Sequence, residues 1–377
     1  MIIRFMHRHA ALLFLTLCCA LVLAPFFVLA ESPQQNVVEF EAVVVEITKE
    51  EMVDSEAGTY NAQRLRLLGK TGDFSEKYVE FDGFGMQVMN QSVYRVGDRV
   101  VAQYVDHVDG EPQVFILHIV RTRSILWLFA LFVVAVVLTS GWFGFRAIFG
   151  LSSSFAVIFY GLLPTIIAGV NPLFATIGWA ILLVILSMYF IFGYNKKSHI
   201  AILGTCVGVC VVGFLSYFFS GLLGLTGFAQ EEAMYVLDLV GGGLDMQGLL
   251  LAGCVIGAIG VLDDLSVSQV SVVAQLAKAK PDISRRELYW SAMNVGRDHI
   301  ASIVNTLFLA YTGAAFPLLL LFSVKAGATL GFGQAVSTEI VAVEIMRTLT
   351  ASIGLVLTVP CTTLIAVYVY TKKHAVK

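Results

Sequence analysis

Charged residues are scarce in this chain: they make up 14% of its 377 residues, whereas hydrophobic residues make up 58%. A soluble domain has about 25% charged residues, so this composition excludes an ordinary soluble protein. The apolar residues form blocks of about 20, the length that spans the hydrocarbon core of a bilayer. The sequence therefore predicts an α-helical polytopic membrane protein with about seven or eight transmembrane helices.

Cysteine is also sparse. All six cysteines lie in apolar segments and none lies in 31–123, so that segment is not a disulfide scaffold. Cys206 and Cys210 are one helical turn apart, but no histidine or further cysteine accompanies them. This favours packing as small hydrophobic side chains over metal binding.

Several functional motifs are missing. The chain has no P-loop, Rossmann glycine pattern, His-Glu-x-x-His or Gly-x-Ser-x-Gly motif, so nothing indicates ATP-driven or hydrolytic chemistry. No basic and aromatic array indicates nucleic acid as a partner. We therefore expect neither an enzyme nor a bound cofactor.

The N-terminal segment 1–30 has basic residues followed by an apolar run that ends in Val28-Leu29-Ala30. Small residues at this point fit a signal-peptide cleavage site, but the run is also long enough for a transmembrane anchor. The sequence leaves both alternatives open. In either case residue 31 onward is expected outside the cytoplasm, because the basic flank stays inside.

Segment 31–123 is predicted to be a small extracytoplasmic β domain, an OB-like sandwich or barrel. Alternating apolar and polar residues indicate strands, and glycine-containing turns separate them. The predicted strands are 37–47, 63–68, 78–81, 99–105 and 114–120. No nucleophile or metal constellation is visible here, which favours sensing or docking over catalysis.

Segment 124–370 is predicted to be a seven-helix transmembrane domain, followed by a cytoplasmic tail at 371–377. The candidate spans are 124–145, 148–170, 172–193, 199–224, 244–265, 300–322 and 348–370. Lysine and arginine collect in the alternate loops that would be cytoplasmic, namely 146–147, 194–198, 266–299 and the tail. The opposite loops have only Lys325 and Arg347, which supports this orientation.

The loop 266–299 is predicted to form two short amphipathic helices on the cytoplasmic surface. Its second helix should begin with a Ser-x-x-Glu capping box formed by Ser284 and Glu287.

Two adjacent carboxylates, Asp263 and Asp264, end an apolar span. Asp264 shares a helix face with Gly253, Gly257 and Gly260, where glycines would allow another helix to approach closely. One interpretation places both carboxylates in the headgroup region or at a helix cap. The other is that one binds a proton or cation inside the bundle, with Asp264 the better candidate because it lies on the glycine face.

A second polar group begins the next span. Asp298, Ser302, Asn305 and Thr312 form one stripe that should face protein or water. Arg297 could pair with Asp263 or Asp264, and His299 could relay protons. The alternatives are an interfacial charge cluster for 297–299 and a simple interhelical hydrogen bond for Asn305.

A third group comprises Glu339, Glu344 and Arg347, near the last span. Glu344 and Arg347 are three residues apart and can pair on a helix. Segment 334–347 could be interfacial or re-entrant, followed by a span kinked at Pro360. Glu339 and Glu344 at the outer side, with the aspartates at the inner side, would then form the ends of a polar path.

The acidic segment 231–245 contains four carboxylates beside a run of three glycines. A solvated loop is favoured there over a weak divalent-cation funnel. Whether any metal binds is unknown from the sequence.

Three stretches resemble the YibE/F family of bacterial membrane proteins. They are GVLDDLSVSQ at 260–269, GRDHIAS with VNTL within 296–307, and EIMRTL with SIGLV within 344–356. The resemblance covers most of the chain after residue 120 and implies a bacterial cytoplasmic-membrane protein. Its partners would be the lipid bilayer and an ion or small solute, with a second copy or a second family member as a further candidate.

A more distant similarity is to the proton-driven RND and SecD/SecF transporters, which also place an extracytoplasmic domain between their first two spans. This chain differs in its larger number of spans and in aspartates that lie late in their helix. Two functions follow: a proton- or cation-coupled secondary transporter, or a non-transporting assembly or sensor protein. Burial of Asp264 among helices would favour the first, and exposure of Asp264 would favour the second.

Overall fold

The computed structural model describes residues 37–55, 58–84, 93–105, 113–229, 231–240, 243–326 and 332–371. It divides into two compact units, one up to Thr139 and one from Ser140 onward. The predicted signal or anchor at 1–30 lies outside the described residues. Of the predicted tail 371–377, only Thr371 is described, and it is the last residue of a helix.

The first unit contains a five-stranded antiparallel sheet in the order β3-β2-β1-β4-β5. The strands are β1 Val37–Ser55, β2 Gly58–Gly69, β3 Tyr78–Asp82, β4 Arg99–Val105 and β5 Gln113–Ile119. All five predicted strands are present. However, β1 and β2 extend past their predicted ends into one long hairpin in which Ser55 pairs with Gly58.

One face of this sheet forms the core of the unit. Phe40, Ala42 and Val44 alternate with more exposed residues along β1, and Leu65 and Leu67 do the same along β2. This period of two is the pleat of a strand that is buried on one side. Strands β3 and β5, at the two ends of the order, also lie against each other.

The rest of the described chain is helical. Its helices are α1 Thr122–Val157, α2 Leu163–Ile167, α3 Pro172–Phe192, α4 Lys196–Leu223, α5 Glu231–Val240, α6 Met246–Ala279, α7 Arg285–Ala314, α8 Phe316–Ala326, α9 Phe332–Val336 and α10 Glu339–Thr371. A π-helical turn, Ile158–Leu162, joins α1 to α2. Side chains cap several helix starts: Asn171 for α3, Asn195 for α4, Asp245 for α6 and Ser284 for α7.

Five helical runs among the described residues are long and apolar enough to cross a membrane. They are Thr122–Ile167, Pro172–Phe192, Lys196–Leu223, Met246–Ala279 and Glu339–Thr371. The predicted span 300–322 is divided between α7 and α8. The total of seven or eight spans remains a prediction.

The predicted loop 146–147 is wrong. Residues 124–170 are mainly one helical run, and its break lies at Gly141, which has a φ of 56° and a ψ of −130°. Only glycine adopts such a conformation readily. Arg146 is helical, and its Nε donates to the Phe190 carbonyl oxygen at 2.7 Å.

The stretch 266–299 is helical, as expected, but it does not form two separate short helices. Its first part continues α6 to Ala279, and its second part is the start of α7. The Ser284 hydroxyl accepts a hydrogen bond from the Glu287 backbone N–H at 3.2 Å, which confirms the predicted cap. The Glu287 carboxylate pairs with Lys280 at 2.6 Å across the turn.

The last helix also differs from expectation. A short helix, α9, precedes it, and α10 then runs without interruption from Glu339 through Pro360. Arg347 is therefore within the helix and not in an outer loop.

Helices α4, α6 and α10 form the centre of the second unit. A Cβ on Gly204 would collide with the Thr362 side chain, and one on Gly208 with that of Thr358. Glycines therefore let α4 and α10 approach closely, as small residues do at membrane helix interfaces. Val212, Val255 and Leu355 are fully buried nearby.

Candidate functional site

The glycine face of α6 points to side chains of α7 and α10. A Cβ on Gly257 would lie 2.7 Å from the Tyr311 hydroxyl oxygen, and one on Gly253 would lie 3.9 Å from Arg347 Nη2. A Cβ on Gly260 would meet nothing within 4 Å. The predicted close approach of a helix is therefore found at only part of the face, and open space remains at Gly260.

Helix α7 runs antiparallel to α6. A Cβ on Gly296 would lie 3.1 Å from Gln269 Nε2, and His299 Nδ1 lies 3.5 Å from the Ser268 hydroxyl. Because Tyr311 reaches Gly257 further along, the two helices stay adjacent for several turns. The face of α6 that contains the glycines therefore looks onto α7.

The two neighbouring aspartates have different surroundings. Asp263 is partly buried, and its Oδ1 is buried without a hydrogen-bond partner among the described residues. The Thr205 hydroxyl on α4 is close enough to interact with this carboxyl, yet Thr205 Oγ1 also lacks a partner at hydrogen-bond distance. Asp264 is exposed. The sequence indicated Asp264 as the carboxylate inside the bundle, but the structure shows Asp263 directed into the bundle instead.

The predicted pairing of Arg297 with an aspartate is wrong. The Arg297 guanidinium lies over the Trp290 ring, 5.6 Å from its centroid, and no carboxylate is within ion-pair distance in the described chain. Asp298 is exposed, whereas His299 is partly buried against Ser268. Within the described chain, His299 is the member of the cluster 297–299 that makes a polar contact with α6.

The stripe that continues from Asp298 is exposed at Ser302 and Asn305 and partly buried at Thr312. The structure does not bring these side chains together with Asp263. They lie on an outer surface of the unit, and whether they face a partner or water stays a prediction.

Glu344 and Arg347 form the expected ion pair. Arg347 Nη1 lies 3.0 Å from Glu344 Oε1 and 3.3 Å from Oε2, and both side chains are only about one-fifth exposed. Arg347 Nε is buried and has no hydrogen-bond partner among the described residues. Cys254 of α6 is fully buried beside the same guanidinium.

Glu339 has a different environment from Glu344. Its carboxylate accepts hydrogen bonds from the Thr226 and Gly227 backbone N–H groups at 2.6 and 2.9 Å, and also from the Thr226 hydroxyl. It therefore ties the end of α4 to the start of α10, which is a structural role.

Sequence reasoning missed a set of buried polar side chains at the centre of the bundle. Gln269 Nε2 donates to Thr363 Oγ1 at 2.8 Å and to the Ala292 carbonyl oxygen at 3.0 Å. Oxygens of this set without a partner in the described chain are Thr205 Oγ1, Ser266 Oγ, Gln269 Oε1 and Thr362 Oγ1. The repeated threonines of α10 and the Gly204-x-x-x-Gly208 spacing were the signals that could have indicated them.

No group of three or more metal-ligating side chains occurs within the described ranges. Cys206 is partly buried and Cys210 is exposed. In the acidic segment 231–245, Asp245 caps α6 by accepting from the Gly248 N–H at 2.8 Å. The side chains of its other three carboxylates lie outside the described residues.

Long apolar helices around a buried polar centre, together with a small antiparallel sheet, place the chain in the class of multi-span membrane proteins. The sequence model of the YibE/F-like protein family matches residues 128–372. This is well over half of the chain, and the chain belongs to that family. No curated protein and no solved structure matched.

Proposed function

We propose that this chain is a secondary transporter of the bacterial cytoplasmic membrane, driven by protons or another cation. Its substrate is not identified by the family match. The observation that supports this proposal is the position of Asp263, on a helix long enough to span the bilayer. Its Oδ1 is buried without a hydrogen-bond partner in the described part of the chain.

An ionised carboxylate with a buried oxygen is costly when no cation in the described part of the chain pairs with it. Binding a proton or a cation would remove this cost. The Thr205 hydroxyl, which also lacks a partner at hydrogen-bond distance among the described residues, supplies a second oxygen beside this carboxyl. If the free energy of the Asp263 carboxylate differs between two conformations, binding a proton or cation shifts the equilibrium between them.

The ion pair Glu344–Arg347 would be the other end of the polar path. Arg347 lies beside Gly253, ten residues before Asp263 on α6, which corresponds to about 15 Å along the helix. On the glycine face in this interval, the Tyr311 hydroxyl at Gly257 is buried without a hydrogen-bond partner among the described residues, and open space remains at Gly260. Asp263 itself is directed toward Thr205 of α4, beside this face.

A non-transporting assembly or sensor protein is the alternative, supported by the exposure of Asp264. In that case the β domain would dock a partner and the helices would serve as an anchor. The exposure of Asp264 fits this alternative, but the buried carboxylate that a transporter requires is supplied by Asp263. We therefore favour transport, and not an enzymatic activity.

The proposed topology has seven or eight spans, residues 31–123 outside the cytoplasm and the C-terminus inside. The distribution of lysine and arginine supports it. An OB-like closure of the sheet is supported by the approach of β3 to β5. The distant similarity to RND and SecD/SecF transporters remains a hypothesis that agrees with proton coupling.

The test is a flux screen. Purified protein would be reconstituted into liposomes with an internal pH-sensitive dye, and ions and small solutes would be screened for solute-dependent proton movement. We expect Asp263→Asn to reduce the flux by about tenfold or more, since amides do not exchange this proton. Asp264→Asn should have a smaller effect.

Asp282→Asn is the matched control, because Asp282 is an exposed aspartate in the turn between α6 and α7. It should behave as the wild type. Unchanged flux in a folded Asp263→Asn protein, or no flux with any solute, would refute transport and leave the assembly function.

A further inference from the structure

A cavity of about 180 Å³ lies beside Arg347 in the helical unit. It is formed by α5, α6, α10 and the segment before α5. Its lining is Gly227, Ala229, Ala233, Val236, Met246, Leu249, Leu250, Gly253, Val343 and Arg347. Among the described lining residues, Arg347 is the charged one, and the others are apolar or glycine.

The guanidinium of Arg347, which lines this cavity, has a donor, Nε, without a hydrogen-bond partner among the described residues. It has five N–H groups in a planar fork. Nη1 is occupied by Glu344, while Nε has no hydrogen-bond partner in the described chain. Nη2 lies next to Gly253, which also lines the cavity and has no side chain to fill the space.

The Nε and Nη2 edge of a guanidinium matches two oxygens of one carboxylate or phosphate. Leaving a buried donor unpaired costs about 1–3 kcal/mol, so an acceptor that reaches this edge would be stabilised. Nε is shielded from solvent. A ligand in the cavity, which Arg347 lines, must therefore shift this side chain slightly to reach Nε.

The apolar residues of the lining favour a ligand whose part beyond the acidic group is apolar. Val236, Leu249, Leu250 and Val343 offer only apolar contacts. An inorganic phosphate would leave these surfaces uncovered and would bring more charge than a single arginine can balance. A short organic acid fills the apolar space and presents one carboxylate.

We propose that this cavity binds a small organic monocarboxylate, which Arg347 holds through its Nε and Nη2 edge. This assignment rests on the proposed transport function, for which it names the substrate class.

Charge balance then implies a proton. The Glu344–Arg347 pair is neutral, so an added carboxylate leaves one negative charge in a half-buried site. One proton taken up by Glu344 for each ligand restores neutrality. Among the described residues, the titratable groups near Glu344 are Arg347 on its own helix, Cys254 on α6 and Tyr311 on α7. Of these, Glu344 is the group in direct contact with the arginine.

Binding would be measured on the purified full-length protein by calorimetry, without transport. The probes are butyrate, benzoate, dodecanoate and inorganic phosphate at millimolar concentration. Repeating each titration in two buffers of different ionisation enthalpy counts the protons taken up. We expect butyrate or benzoate to bind with uptake of one proton, and more tightly as the pH falls.

Three variants test the assignment. Arg347→Gln should weaken binding by about tenfold or more. Glu344→Gln mimics the protonated acid, so it should bind the same acids with no proton uptake and no pH dependence. Arg347→Gln leaves the half-buried Glu344 carboxylate without its ion-pair partner, which destabilises the fold. The double variant Glu344→Gln with Arg347→Gln avoids this unpaired charge, and it should also bind weakly.

Arg285→Gln is the control. Arg285 is exposed, at the start of α7, where its Nε donates to Thr371 at 3.0 Å. It should bind as the wild type does. The assignment would be overturned if Arg347→Gln or the folded double variant bound the acids with wild-type affinity. It would also be overturned if the wild type preferred phosphate, bound only dodecanoate, or bound none of the probes.

The two proposals can fail separately. Carboxylate binding that depends on Arg347 but without proton flux in liposomes would refute transport and keep the site. A proton flux that depends on Asp263 without carboxylate binding would refute this site and keep transport.

Discussion

The Tyr311 hydroxyl faces Gly257 so closely that a methyl group on the glycine would come within 2.7 Å of its oxygen. The next ring atom would be 3.7 Å away, which is an ordinary contact. The hydroxyl itself is buried and has no hydrogen-bond partner among the described residues. This contact holds α6 and α7 close together near the end of α7, far from the turn that connects the two helices.

Gly257→Ala should therefore destabilise the protein by about 1–3 kcal/mol, because it overpacks this contact. Tyr311→Phe removes the unpartnered hydroxyl and should be neutral or slightly stabilising. In the double variant the cost of Gly257→Ala should largely disappear. Thermal or denaturant unfolding in detergent measures all three, and additive effects would contradict this account of the contact.

The crossing of α4 and α10 predicts a second packing effect. Gly204→Ala should lower stability by about 1–3 kcal/mol, because its methyl group collides with the Thr362 side chain. Thr362→Ala in the same protein should recover part of the loss. The control is Gly178→Ala on α3, where a Cβ meets nothing within 4 Å. It should cost nothing and could add about 0.5–1 kcal/mol of helix stability.

The sheet should lose stability in acid through Asp82. The Phe84 backbone N–H, which donates to Asp82 at 3.0 Å, and the Arg64 guanidinium hold the pKa of this carboxyl below its usual value, although partial burial acts in the opposite direction. A carboxylate with a lowered pKa in the fold adds stability above its unfolded value of about 4. That contribution disappears as the pH falls through the lower, folded pKa.

Hydrogen exchange of the peptides covering β2 and β3 in the full-length protein, corrected for intrinsic rates, would measure this effect. Protection of the wild type should fall below about pH 4. Asp82→Asn should lack this acid-dependent step and should already be less protected at neutral pH. An identical acid profile in both proteins would contradict the role of Asp82.

Topology can be tested with single cysteines introduced into a variant in which the six native cysteines are replaced by alanine. Ser75→Cys, exposed near the sheet, should react with a membrane-impermeant maleimide added to intact cells with a permeable outer membrane. Asp282→Cys, exposed in the turn between α6 and α7, should react only after the inner membrane is opened. The reverse pattern would invert the proposed orientation.

Local patterns in the sequence predicted local structure well. The alternation around Phe40 and Leu65 gave the strands, and the spacing of Glu344 and Arg347 gave their ion pair. The serine cap at residue 284 was also predictable, since a capping motif depends on only four consecutive residues. These features require no knowledge of what packs against them.

The features that the sequence did not predict depend on contacts between different helices or between distant parts of one helix. Adjacent residues on a helix differ in direction by about 100°, so the choice between Asp263 and Asp264 depends on where α4 and Thr205 lie. Similarly, Arg297 meets Trp290 on its own helix rather than an aspartate of α6. The end of α6 was misplaced because hydropathy falls after Asp264, but a helix can leave an apolar environment without ending.

Helix α6 has a mechanical consequence. Its 34 residues correspond to about 50 Å, well beyond the roughly 30 Å thickness of the hydrocarbon layer. In a rigid helix of this length, a small tilt at one end gives a larger displacement at the other end. A tilt set by the groups near Gly253 would therefore displace Ala279 further, beside the turn where Lys280 and Glu287 connect α6 to α7. A conformational change at one end of the bundle would thereby move residues at the other end of α6, outside the hydrocarbon layer.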